Sequence, residues 1–401
     1  MRALSVGGGS SLRVPELVLT ARKTAELFLF GVLPTLVFCW WLAFAVLESR
    51  DGSVVYWAFD TRQFWQAGND VINGVSPYPS AASLATAGDH LDAAGLLEVF
   101  RFSYPAGAAV AFAPLGLLGF DASAAVWGIT LVVSLFAALW ILGIRDWRVF
   151  GVVIGSAPVI DAVRIGTLTP VLLLLLAVAW RWRDRRWAVS GALGTAIALK
   201  LFLWPLVVWL AATRRWLEAV LTACLASGAT LVAWAVIGFD GLSDYPELVR
   251  RLADIVEVRG FSLVALGVEA GLPERVAGAL PFLIGLSLLA GVVAVGRRDD
   301  GDRVAFSIAV IASIALTPIV WQHYFALLVV PLALARSRLA WAWGLMWIFW
   351  LFPAQENEGD LWKIAAAVAV TAAVAAIAVR ARRPAAIPGS RLEVFRPRVG
   401  S

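Results

Sequence analysis

Long apolar stretches divided by short arginine-rich clusters set the pattern of this chain. The apolar runs occupy residues 26–47, 122–144, 149–162, 168–180, 188–199, 201–212, 217–237, 276–296, 304–320, 324–335, 339–352 and 361–379. A helix of about 20 mostly apolar residues crosses the hydrocarbon core of a bilayer. The pattern therefore predicts an all-α polytopic membrane protein with about 12 transmembrane helices. A further run, 105–119, is read as dipping in from one face without crossing, since a crossing there would move every later arginine cluster to the other side. The run 26–47 is too long for a signal-peptide core and has no small-residue cleavage site after it, so it is read as a retained first span.

Several of these runs fall short of a full crossing. A 12-residue helix is about 18 Å long, against a core of about 30 Å. Such pieces persist where their ends line a wet cavity walled by protein, because unpaired backbone groups cannot face lipid. The short pairs 149–162/168–180 and 188–199/201–212 turn on the same side, which predicts a cavity opening there. Two connecting segments on that side are long, 48–104 and 238–275. In the first, Asp60 to Asn73 reads as a juxtamembrane helix ended by Gly74 and a Ser-Pro-Tyr-Pro stop. In the second, Tyr245 to Val258 reads as an amphipathic interfacial helix.

Composition agrees: of 401 residues, 61% are apolar and 15% charged, with a mean hydropathy of +0.82, outside the range of soluble domains. Charge adds an orientation. Arg22-Lys23, Arg145/Arg148, Arg181 to Arg186, Arg214-Arg215, Arg297-Arg298 with Arg303, Arg336/Arg338 and Arg380 to Arg383 all fall on one side of a twelve-span arrangement. That side carries 23 Lys and Arg against 9 Asp and Glu, and the other carries 10 against 19. Lys and Arg flanking spans accumulate in the cytoplasm, so the clusters and both termini are expected there. The predicted organisation is a cytoplasmic segment 1–25, a transmembrane catalytic domain 26–379 and a basic cytoplasmic tail 380–401. The pI near 9.6 follows from this topology and calls for no nucleic-acid partner; the tail suits anionic lipid. The two cysteines, Cys39 and Cys224, and the two histidines, His90 and His323, form no disulfide or metal spacing, so no metal or other cofactor is expected.

Polar chemistry gathers at the turns of the less basic side. Asp60 starts the juxtamembrane helix, where an acid also serves as a cap. Arg164 sits in "DAVRIGT", where it equally suits a pair with Asp161. Lys200 sits at the tip of "ALKLFLWP", as a snorkelling end would, and His323 lies in "WQHYF", where an interfacial cap also fits. One base and several cations at a single membrane face suit transfer of a group from a lipid phosphate. The acceptor hydroxyl loses its proton to a carboxylate, and the leaving phosphate gains charge that Lys, Arg or His stabilises.

The chain resembles the bacterial polyprenol-phosphate-sugar-dependent glycosyltransferases of the GT-C class. The likeness is to the actinobacterial α-mannosyltransferases that elaborate phosphatidylinositol mannosides and lipoarabinomannan, and to the related arabinofuranosyltransferases. It extends from Asp60 to Arg338 through "NGVSPYP", "FSYPAG" with "APLGLLGF", "GTLTPVLLLLLAVAW", "ALGTAIALKLFLWPLVVWL" with "TRRW", and "TPIVWQHYFALLVVPLAL". The resemblance implies that Asp60 is the catalytic base and that Lys200 and His323, with Arg164 beside them, contact the donor phosphate or sugar. It further implies inversion of a β-linked polyprenyl-phosphate sugar to an α-glycoside on a membrane glycolipid or lipoglycan at the extracytoplasmic face of the bacterial plasma membrane. Arg62, Tyr78, Tyr104, Gln322 and Tyr324 are candidates for the substrate pocket.

The chain departs from the family pattern at Tyr104-Pro105-Ala106, where Tyr-Pro-Pro is usual, and at Gly166-Thr167-Leu168-Thr169, which stands for a Gly-Gln/Asn-x-Asn-like turn. Proline also follows Lys200 at a longer spacing, as Pro205. These turns line the expected sugar pocket, so mannose and arabinofuranose both remain open as donor sugars. A lipid-linked sugar flippase or transporter has similar spans, but usually carries ionisable groups near the midplane, where only Lys200 reaches. A noncatalytic member of the fold is a further alternative, separable by an Asp60→Asn variant. A metal-assisted GT-C enzyme would call for paired carboxylates in the first outer loop, and Asp51 and Asp60 are nine residues apart.

Overall fold

The computed structural model describes residues 14–50, 58–79, 101–257, 260–352 and 360–381. Trp57, His90, Asp51 and the tail beyond Ala381 lie outside the described residues, and every regular element within them is helical. The chain is an all-α polytopic membrane protein. Among the described residues, five stretches are long and apolar enough to cross a bilayer: Leu19–Phe44, Phe120–Ile141, Trp216–Val236, Glu274–Gly296 and Leu361–Arg380. Their outward faces carry exposed apolar side chains such as Trp40, Ile129, Trp140, Val232 and Leu283. A soluble domain would bury such a band, whereas lipid requires it.

The first stretch is built from α1 (Val14–Leu27), a π-helical turn at Phe28–Val32 and α2 (Leu33–Arg50). Pro34 supplies the cause, since it lacks an N–H and its ring crowds the carbonyl four residues back, which opens the ladder locally. Next come α3 (Phe59–Ile72), α4 (Ala106–Gly116), α5 (Phe120–Ile141), α6 (Trp147–Ile154), α7 (Ala157–Ile165) and α8 (Thr169–Arg181). They are followed by α9 (Arg186–Leu199), a 3₁₀ turn at Leu201–Leu203, α10 (Pro205–Ala212), α11 (Trp216–Val236) and α12 (Tyr245–Glu257). The chain continues through α13 (Leu263–Glu269), α14 (Glu274–Gly296), α15 (Asp302–Leu316), the 3₁₀ helix Gln322–Leu328, α16 (Val329–Ala335), the 3₁₀ helix Trp341–Leu351 and α17 (Leu361–Arg380).

Of the dozen expected crossings, five among the described residues have the length and composition of a span, or six if α7 and α8 together form one span bent by 115°. The remaining apolar runs are shorter helices. Run 149–162 is two helices, because Gly155 ends α6 and Pro158 opens α7 in its first turn. Run 105–119 contains the 11-residue α4, about 16 Å long and packed on α3. Run 339–352 is the 3₁₀ helix Trp341–Leu351 in place of an α-helix.

The arginine clusters meet at one end of the bundle. Asp302 accepts hydrogen bonds from Arg183, Arg215 and the Trp209 indole at 2.9–3.0 Å. Arg215 also reaches Asp184, and Arg186 reaches Glu218. Arg303 donates to the Leu334 and Ala381 carbonyls. Asp146 caps α6, holds Arg148 and accepts from Leu339 N–H, while Arg148 also reaches Glu26 at 3.6 Å. Lys200 closes α9 a helix length from Arg186, and Arg164 precedes α8, which runs to Arg181, so both stand away from this end.

Candidate active site

Helix α3 positions the central carboxylate. Its apolar and small residues line one face, and Asp60, Thr61, Gln63, Phe64, Ala67, Gly68 and Asp70 are buried. Gly68 and Gly116 let α3 and α4 touch backbone to backbone: a Cβ on Gly68 would stand 2.3 Å from the Phe112 carbonyl oxygen, and one on Gly116 2.5 Å from the Asn69 nitrogen. Phe64 then stacks on Phe112 at 4.3 Å between ring centroids and lies 4.6 Å from Tyr104. At the start of α3, Ala58 adopts a left-handed conformation (φ 55°) and donates its N–H to the Arg164 carbonyl at 2.8 Å. The entry of the α3 chain is thus pinned to the end of α7.

Asp60 is 8% exposed and accepts a hydrogen bond from the Tyr104 hydroxyl. Burial raises its carboxyl above the ordinary range, opposed in turn by His323, the Tyr104 hydroxyl and Lys200, while Asp161 adds to the rise. The rings tie these groups together: Tyr104 holds Asp60 and lies under the Lys200 ammonium, which also sits over Tyr324, the neighbour of His323. Lys200 ends α9 in extended backbone, and its ammonium lies 4.1 Å from the Tyr324 ring centroid and 5.1 Å from that of Tyr104. It is 8% exposed and held by aromatic faces, which is not the posture of a snorkelling helix end.

His323 is the second residue of the 3₁₀ helix Gln322–Leu328 and is 4% exposed. Its Nδ1 stands 3.4 Å from Asp161 Oδ2, while Asp161 Oδ1 accepts from Arg164 Nη2 at 2.8 Å. His323 Nε2 is buried with no hydrogen-bond partner among the described residues. The turn Gly166-Thr167-Leu168-Thr169 bends from α7 into α8, with Thr167 Oγ1 accepting from Thr169 N–H at 3.2 Å. Gly166 (φ 82°) lies so close to α3 that a Cβ there would stand 1.8 Å from Thr61 Oγ1.

Asp60, Arg164, Lys200, His323, Tyr104 and Tyr324, expected from the sequence, therefore form one buried group. Three other candidates fall elsewhere. Arg62 is exposed, with its guanidinium 4.7 Å from the Phe120 ring centroid. Gln322 donates its carboxamide to the Phe349 and Phe352 carbonyls at 3.1 and 2.8 Å. Tyr78 stacks on Trp234 and donates its hydroxyl to the Tyr104 carbonyl at 2.8 Å. Both Gln322 and Tyr78 act as struts for site residues. In the sequence, Asp161 stands out only as a partner for Arg164. Its signal was an Asp-x-x-Arg spacing, one helical turn, inside an otherwise apolar helix.

A polytopic helical membrane protein with buried carboxylates among cations and aromatic rings has the means to transfer a group at a bilayer. Residues 102–331, more than half of the chain, match Glycosyltransferase family 87, and the chain belongs to that family of membrane glycosyltransferases. Asp60 precedes the matched segment; Tyr104, Asp161, Arg164, Lys200 and His323 lie within it. The chain is similar to the polyprenol-phosphate-mannose-dependent α-(1-2)-phosphatidylinositol pentamannoside mannosyltransferases of Mycolicibacterium smegmatis and Mycobacterium tuberculosis. Each is 27% identical, over 300 and 298 residues, covering 66% of this chain and 70% and 67% of the relative. A polyprenol-phosphate-mannose-dependent α-(1-2)-phosphatidylinositol mannoside mannosyltransferase of M. smegmatis is 26% identical over 312 residues, 65% of this chain and 71% of that protein. No solved structure matches the chain.

Proposed function

We propose that this protein transfers mannose from a polyprenyl-phosphate-mannose donor to a hydroxyl of a phosphatidylinositol-mannoside-type glycolipid, with inversion. The observation that carries the reading is the burial of Asp60 beside Tyr104, Lys200 and His323. Asp60 takes the acceptor's hydroxyl proton as the acceptor oxygen attacks the anomeric carbon from the face opposite the phosphate. The bond from that carbon to the phosphate oxygen breaks, and its electron pair leaves with the polyprenyl phosphate. Lys200 and the free Nε2 of His323 are the groups available to meet the charge that develops there. The polyprenyl-phosphate sugar is the co-substrate, and the step invokes no metal.

The site faces the extracytoplasmic side in this reading. Support comes from the arginine clusters, which share the other end of the bundle and belong in the cytoplasm by the positive-inside tendency. Arg148 beside Glu26 and Arg303 against the Ala381 carbonyl put the first and last spans' basic ends there too, which suits cytoplasmic termini.

The test is transfer from radiolabelled polyprenyl-phosphate-mannose to phosphatidylinositol mannosides in membranes, with wild type and Asp60→Asn at matched expression. Wild type should transfer, and the variant should lose at least about 100-fold, as befits removal of a general base. Equal rates would remove Asp60 from the chemistry. No transfer by either protein would reject mannose and direct the assay to the arabinose donor.

A further inference from the structure

The proposed reaction uses Asp60, Lys200 and His323 and leaves a second buried carboxylate unemployed. Asp161 lies on α7, 4% exposed, between a guanidinium and an imidazole. A buried acid is costly unless paired, and Arg164 alone satisfies that need through Oδ1. The other oxygen is turned to His323 Nδ1 at 3.4 Å. That division of the carboxylate has a chemical effect on the ring. A carboxylate beside Nδ1 selects the Nδ1–H form and fixes the ring plane; burial lowers the imidazole's proton affinity, Asp161 offsets part of that, and the arriving donor phosphate supplies the further negative charge that favours the imidazolium. Neither ring nitrogen has a hydrogen-bond partner among the described residues, but Nδ1 has Asp161 beside it at 3.4 Å, whereas Nε2, on the far edge of the ring, is left free.

Charge points the same way. Asp60 and Asp161 are offset by Arg164 and Lys200, so the group is neutral with His323 neutral and carries one positive charge with His323 protonated. One positive charge is what the single anionic oxygen of a polyprenyl-phosphate sugar diester requires in a water-poor site.

We infer that Asp161 is a positioning residue that acts through His323, holding the imidazole so that Nε2–H is presented to the donor phosphate. This rests on the reading of His323 as a phosphate contact. The same α7 segment offers its Arg164 carbonyl to Ala58 at the head of α3, so one short helix sets both the base and the phosphate-binding ring.

The experiment measures binding of farnesyl phosphate to the full-length protein in detergent, for wild type, Asp161→Asn, Asp161→Ala, His323→Ala and the Asp161→Asn/His323→Ala double variant. Thermal unfolding of each is followed alongside. Removing the group that orients a metal-bound imidazole costs about 10- to 100-fold, and a loss in that range is expected for Asp161→Ala and for His323→Ala. Asp161→Asn keeps an acceptor for Nδ1–H and should recover part of the loss. The double variant should bind no more weakly than His323→Ala, since the two residues act as one unit. In sugar transfer, Asp161→Asn should raise the donor KM more than it lowers kcat.

The inference is overturned if the double variant loses the product of the single losses, if Asp161→Asn and Asp161→Ala bind like wild type, or if wild type does not bind the probe. Binding in the expected order without mannosyl transfer by wild type would leave this inference standing and reject the mannosyl reading instead.

Discussion

At the scale of single residues, the contact most open to test is the phenol of Tyr104 on Asp60. A base works when ionised, and burial raises the Asp60 carboxyl while the Tyr104 hydroxyl, donating to it, favours the anion. Tyr104→Phe removes that donor and should raise the carboxyl further. The acid limb of the kcat/KM profile should therefore move to higher pH, with the plateau above it largely retained. A hydrogen bond to a charged group is worth about 1.5–3 kcal/mol, or roughly 1–2 pH units. An unmoved acid limb in Tyr104→Phe would mean that Asp60 is not the group titrating. Much at this scale was legible in the sequence, since Asp60, Lys200, Arg164 and His323 stand out as lone polar groups beside apolar runs. Arg62, two residues on from Asp60, points to the opposite side of α3 and lies over Phe120, because proximity in sequence is not proximity on a helix. Gln322 and Tyr78 were legible as polar residues near the site, but their partners are backbone carbonyls 30 and 26 residues away, which no local pattern encodes.

At the scale of elements, the join between α7 and α8 is the most exacting part of the site. Gly166 combines a left-handed backbone with a 1.8 Å approach of its notional Cβ to Thr61 Oγ1. Gly166→Ala would therefore strain the turn, by about 1–3 kcal/mol for a non-glycine residue in that region. It would also push α3 away from α7 one residue from Asp60. A displacement of about 1 Å at reacting groups costs on the order of 100-fold in rate, so transfer should fall far more than the folded fraction does. Comparing kcat with the melting temperature in detergent checks this; a rate that falls only in step with folded protein would assign Gly166 to stability alone. The turn is visible in the sequence as a Gly-Thr-Leu-Thr string, whereas Gly155-Ser156 before it is a small-residue pair inside an apolar run and does not by itself mark a break. An apolar run signals burial but does not say how many helices share it. The 3₁₀ helix Trp341–Leu351 was unreadable for a related reason. Its aromatic-rich sequence meets the composition of a span, and its tighter winding is tied to tertiary contacts, such as the Trp347 and Trp350 indoles donating to the Val152 and Gly155 carbonyls at 2.9 and 2.8 Å.

At the scale of the whole molecule, the bundle has two chemically unlike ends. One collects Arg183, Arg215, Arg303 and Arg148 with their carboxylate and carbonyl partners. The other holds α3, the Tyr78 and Tyr104 turns, and α12, whose Tyr245 hydroxyl reaches the Ser103 carbonyl. Crossing number and side are separate questions, because positive charge flanking the spans determines orientation even where short helices leave the count of crossings open. The sequence carried that charge asymmetry plainly, and the contacts among the clusters join them at one end. Cysteine labelling in a Cys39→Ser/Cys224→Ser background tests the orientation, since both native cysteines are exposed. Asn73→Cys, at the exposed end of α3, should react with a membrane-impermeant maleimide in intact cells, and Asp299→Cys, in the exposed loop before α15, only after permeabilisation. The reverse pattern would put Asp60 on the cytoplasmic side. The transfer would then have to draw on a donor presented there, and the extracytoplasmic reading would fall even if Asp60→Asn remained inactive.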